Sequence, residues 1–117
     1  MKAIETAFSM AGYRASSIRV IVSDGGSTDN TKQKVKLMKK RYPNQIRFLL
    51  ARRKGRAYQM NEAAEAALEG GTAAGKILFF LHADTRVCYS YDVIIRTTLL
   101  RDGVVAGAFS FRVLSTK

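Results

Sequence analysis

The chain has 117 residues, 47% of them hydrophobic, and 20 lysines and arginines against 9 acidic residues give it a net charge of +11. That length suits one core and argues against a second domain, and the apolar share excludes a disordered chain. The charge favours polyanionic partners: nucleotide diphosphates, nucleic acid or an anionic membrane surface.

In chain order, residues 2–12 place Ile4, Ala7, Phe8 and Ala11 at helical spacing, with Gly12 as a stop. Residues 19–23 (RVIVS) are rich in β-branched side chains and predict a first strand. It runs into Asp24-Gly25-Gly26-Ser27-Thr28-Asp29-Asn30, a loop with two glycines. Asp29 or Asn30 is expected to cap a helix that buries Val35, Met38 and Tyr42 and ends at Pro43-Asn44.

Residues 46–50 predict a second strand, and Arg52 to Gly55 form a basic turn. A helix from about Arg56 to Leu68 follows, with Ala57, Met60, Ala64, Ala67 and Leu68 as a small-residue face for packing on a sheet. Ile77, Leu78, Phe79, Phe80 and Leu81 form an unbroken apolar run, predicting a strand covered on both faces. It ends at His82-Ala83-Asp84, where an extended chain points imidazole and carboxylate the same way. Residues 89–101 predict a further helix with Tyr91, Ile94, Ile95, Thr98 and Leu99 inward, and residues 104–113 a last strand. This alternation predicts an α/β fold: a three-layer α/β/α sandwich with a mostly parallel sheet.

The single cysteine, Cys88, excludes an internal disulfide and fits a reducing compartment, hence a cytoplasmic location or the cytoplasmic face of a membrane. With one histidine in the chain, an incidental thiol explains Cys88 better than a nucleophile does. No apolar run approaches the roughly 20 residues that span a bilayer, so membrane association is expected only through segments outside these residues.

Three groups converge at the strand ends of such a sandwich, where open α/β sheets bind ligands. Asp24 could accept a hydrogen bond from a base or a ribose hydroxyl, with Gly25 and Gly26 letting backbone approach the ligand. A tight turn alone explains the glycines equally well but leaves Asp24 idle. Arg52, Arg53, Lys54 and Arg56 precede a helix N-terminus, and cations there with unpaired N–H groups suit phosphate; Asn61 lies a turn and a half further in. The spacing is not that of a P-loop. Asp84 could hold Mg²⁺ together with diphosphate oxygens, and direct ligation by His82 would bias the site toward Mn²⁺ or Zn²⁺. Taken singly, His82 reads more plainly as a hydrogen-bonded structural residue and Asp84 as a helix cap or turn residue, but the pair at the end of so apolar a strand shifts the balance toward function.

Residues 21–31 (IVSDGGSTDNT), 55–64 (GRAYQMNEAA) and 76–85 (KILFFLHADT) resemble three successive blocks of the family 2 glycosyltransferases. The third is closest to a bacterial-type subgroup with His-Ala-Asp in place of Asp-x-Asp. The resemblance implies the nucleotide-diphospho-sugar transferase (GT-A-like) fold and sugar transfer from a nucleotide diphosphate to an acceptor hydroxyl. It implies that Asp24 contacts the base, that Arg56 and Asn61 lie beside the nucleotide and diphosphate, and that Asp84 binds Mn²⁺ or Mg²⁺ with His82 in the place of the first aspartate. It also implies that an opening strand and an acceptor region with the catalytic base fall outside residues 1–117. The expectation is therefore one domain, the nucleotide-binding part, with weak or no transfer by itself. The rivals are a noncatalytic remnant of a transferase and a basic nucleic-acid-binding module. The latter is disfavoured because no aromatic residues are interleaved with the cationic clusters as a stacking platform requires.

Overall fold

A computed structural model of the chain describes residues 2–26, 30–68, 77–82, 85–104 and 106–109. The described elements run α1 (Lys2–Ser9), a 3₁₀ turn (Ala15–Ser17), β1 (Val20–Asp24), α2 (Thr31–Arg41), β2 (Ile46–Leu50), α3 (Arg56–Ala67) and α4 (Tyr91–Leu99). Strands β1 and β2 pair in parallel, with Val20 opposite Ile46 and Asp24 opposite Leu50. Helix α2 is the crossover that parallel pairing demands.

Side-chain alternation assigns the two faces of this sheet. Val20, Val22 and Phe48 turn toward α1 and α2, where Ile4, Phe8, Val35, Met38 and Ile46 form the buried core. Each of these buried apolar side chains contributes about 1.5–3 kcal/mol as an upper bound. Phe8 stacks on Tyr42 with ring centroids 4.0 Å apart, tying α1 to the end of α2. The other face belongs to α3, which packs against β1. The chain is therefore an α/β protein with a parallel sheet and helices on both sides, consistent with part of the expected transferase fold.

Helix α2 buries Val35 and Met38 as its periodicity requires, and Lys39, Lys40 and Arg41 place positive charge in its last turn, against the helix dipole. Asn30 occupies the cap position without the expected side-chain bond, because its backbone (φ −88°, ψ 26°) is not the extended form that aims a cap at the first turn. Asp29 lies outside the described residues. On α3, Ala57 is exposed rather than inward, and Met60, Ala64 and Ala67 are half-buried.

The C-terminal third departs from expectation. Residues 77–81 are assigned to no strand, and Ile77, Leu78, Phe79 and Phe80 are 40–49% exposed. An apolar run signals contact but not the partner. Here Phe79 stacks with Tyr91 and meets Phe109, each at 5.7 Å, instead of joining the ladder of β1. Residues 106–109 likewise form no strand, and residues 110–113 lie outside the described part.

Helix α4 buries Tyr91, as expected, and also Asp92, while Ile94, expected inward, is exposed. The Asp92 carboxylate accepts from the N–H groups of Gly12 at 2.7 Å and Tyr13 at 3.0 Å. Tyr91 donates its hydroxyl to the Ala7 carbonyl at 2.7 Å. These bonds close the C-terminal end of α1 with groups from eighty residues away. Among the described residues no helix is long and apolar enough to cross a membrane.

Candidate functional site

Parallel register brings the carboxyl ends of β1 and β2 side by side. Asp24 stands opposite Leu50, and one more ladder bond runs from the Ala51 N–H to the Asp24 carbonyl at 2.7 Å. Two turns therefore leave the sheet together: Gly25-Gly26 from β1, and residues 51–55 from β2.

The glycines admit close neighbours. A Cβ on Gly25 would lie 3.2 Å from Gln59 Oε1, and Gly26 adopts φ +89°, which disfavours other residues. Gln59, on α3, donates Nε2–H to the Ser23 carbonyl at 3.0 Å, tying the helix to the end of β1. Lys54 reaches the same place: its Cε is 4.0 Å from where a Gly26 Cβ would stand. The basic turn thus approaches the glycine turn through Lys54.

The basic turn is itself held by α3. Glu62 accepts the Arg52 main-chain N–H through both carboxylate oxygens, at 3.2 and 3.0 Å, and the guanidinium Nε–H at 3.0 Å. The Arg52 N–H bond, helped by the guanidinium groups of Arg52 and Arg53, holds the Glu62 carboxyl below its ordinary pKa against partial desolvation. Arg53 lies over the ring of Tyr58 at 5.2 Å. Gly55, at φ +125°, turns the chain into α3, and its carbonyl accepts from Gln59 N–H at 3.0 Å.

The structure thus unites Asp24, Gly25 and Gly26 with the basic turn, and Arg56 opens α3 directly after that turn. Asn61 is exposed, two residues beyond Gln59 and so about 200° around the helix from it, which does not bring it to the glycine turn. His82 is exposed, with its carbonyl accepting from Thr85 N–H at 3.1 Å; Asp84 lies outside the described residues. Among the described residues no group of three or more His, Cys, Asp or Glu side chains could hold a metal.

Sequence reading missed Gln59 and Glu62, which appeared there only as helix residues or not at all. The one signal for Glu62 is an acid ten positions after Arg52, the first of a run of cations, which has no meaning until the turn between them is known.

A family model described as glycosyl transferase family 2 matches residues 2–90. No curated protein and no solved structure matches the chain.

Proposed function

The chain belongs to glycosyl transferase family 2, a glycosyltransferase-like assignment from which we propose that it binds a nucleotide-diphosphate sugar at the carboxyl ends of β1 and β2. The observation that carries this reading is the approach of Lys54 to the Gly25-Gly26 turn, directly beside Asp24 and the start of α3. A carboxylate for base or ribose, bare backbone and a cationic turn are the three things a nucleotide diphosphate needs.

In this reading Asp24 accepts from the base or the ribose, and Gly25 and Gly26 let backbone close on the ligand. Lys54 and Arg56 meet the diphosphate, with Asn61 assigned there by the family pattern alone. Asp84 and His82 would hold a divalent ion, Mn²⁺ or Mg²⁺. Such an ion, when bound, supplies positive charge to the departing diphosphate. In the transfer, an acceptor hydroxyl oxygen bonds to the anomeric carbon, and the bond from that carbon to the diphosphate oxygen breaks. The electron pair leaves with the diphosphate and the acceptor proton goes to a base. Cationic side chains fixed where the leaving charge grows lower that barrier electrostatically. Glu62 is not the base in this reading, because its carboxylate is engaged by Arg52. The exposed thiol of Cys88 suits the reducing, cytoplasmic setting that goes with this role.

Calorimetric titration with uridine, guanosine, cytidine and thymidine diphosphates, with and without Mn²⁺, tests the proposal. Metal-dependent uptake of one of them, lost in Asp84→Ala, is the expected result. Heat with DNA or RNA alone, falling steeply with added salt, would instead make the chain a nucleic-acid binder.

A further inference from the structure

Four cations, Arg52, Arg53, Lys54 and Arg56, fall within five residues. Left to themselves, like charges at that spacing repel and splay. Two of them are instead committed to α3. Arg52 is drawn to Glu62 through both its main-chain N–H and its Nε–H. Arg53 lies over Tyr58, one turn before Glu62 on the same helix. The shallow cleft that Arg52 and Glu62 line, with Leu49, Leu50, Glu65 and Ala66, opens between β2 and α3 and has none of the glycine-turn residues in its walls. Lys54 is not among that cleft's lining residues, and its Cε lies near Gly26 instead, 4.0 Å from where a Cβ on that glycine would stand.

We infer that Glu62 is the positioning residue of the diphosphate subsite: it holds Arg52 back on α3 and thereby sets Lys54 beside Gly26, where the diphosphate is received. The inference rests on the nucleotide-diphosphate reading above and adds a division of labour to it. Of the clustered cations, Lys54 faces the ligand and Arg52 faces the protein. The carboxylate acts before binding: a turn already held in place need not be ordered by the ligand, so less affinity is lost to ordering. The main-chain part of the Glu62 contact matters most, because it fixes the backbone from which Lys54 projects.

The test is calorimetric titration of the full chain and its variants with the four nucleoside diphosphates and the matching nucleosides, with thermal melting to compare folding. Glu62→Ala is expected to weaken diphosphate affinity about fivefold, the scale on which an exposed ion pair acts, while nucleoside affinity stays unchanged. Glu62→Gln, which keeps an oxygen for the Arg52 N–H, should lose less. Arg52→Ala also keeps that main-chain bond and should lose no more than about twofold, whereas Lys54→Ala should lose more than either. A folded Glu62→Ala variant with wild-type diphosphate affinity overturns the inference. So does an equal loss of nucleoside and diphosphate, or an Arg52→Ala loss as large as that of Lys54→Ala. If the wild-type chain binds none of the four diphosphates, the fault lies in the nucleotide reading itself. Wild-type binding with an unaffected Glu62→Ala sinks this inference alone.

Discussion

Replacing Asp92 with asparagine removes a buried charge while keeping nearly the same shape. The wild-type carboxylate, 6% exposed, receives the Gly12 and Tyr13 N–H groups at 2.7 and 3.0 Å. Asparagine can offer one oxygen to one of them and turns its own NH₂ against the other. Hydrogen bonds to charged acceptors contribute about 1.5–3 kcal/mol each, so losing one and weakening the second costs roughly 2–3 kcal/mol. Against the roughly 5–15 kcal/mol that holds a domain of this size, that is a large fraction. Urea unfolding followed by circular dichroism would register it as a midpoint lower by about 1–2 M, for the usual slope of a small protein.

The pH dependence supplies an independent check. Burial raises the Asp92 pKa, but N–H groups of Gly12, Tyr13, Val93 and Asp92 itself outweigh it and leave the carboxyl below its ordinary value. A depressed folded pKa gives stability that is present above the unfolded value, about 3.9, and lost as pH falls through the folded one. The gap between wild type and Asp92→Asn should therefore narrow below about pH 4. A gap under about 0.5 kcal/mol at pH 7, or one that stays constant down to pH 3, would refute the reasoning.

Tyr91→Phe loses the bond to the Ala7 carbonyl and should cost about 1–2 kcal/mol in the same urea assay. Burial, with the Asp92 charge adding to it and Arg96 opposing, pushes the Tyr91 hydroxyl up to about 12. Its contribution is intact below the unfolded value near 10 and fades as pH rises toward the folded one, so tyrosinate absorbance should show one late-titrating tyrosine that the phenylalanine variant lacks. Gly55→Ala forces φ +125° on an L side chain and brings a Cβ within 3.3 Å of Tyr58 Cδ2. Thermal unfolding should show it destabilised by about 1–3 kcal/mol, and an unchanged midpoint would mean the turn is softer than its geometry implies.

The strands and helices of the first two-thirds were legible from local composition and spacing. β-Branched residues marked β1, and Val35, Met38 and Tyr42 marked the inner side of α2. The juxtaposition of Asp24 with the basic turn was legible too, since successive parallel strands end at the same edge of a sheet. What could not be read was who touches whom across the chain. The 77–81 run announced apolar contact, yet its aromatic partners Tyr91 and Phe109 are not implied by its pattern. The burial of Asp92 has no local signal, because it depends on two N–H groups at positions 12 and 13. Arg52 looked like a phosphate ligand for the same reason: its acceptor, Glu62, lies beyond a turn whose path no local pattern encodes.

The bond between Gly12 and Asp92 spans 80 residues of chain. During synthesis at about 5–20 residues per second, the first helix would wait on the order of 4–16 s before its last partner is even made. Contacts of that separation also close late in refolding, since the intervening loop must first surrender its freedom. Helix α1, made some eighty residues before Asp92, is thus among the last pieces to be locked down.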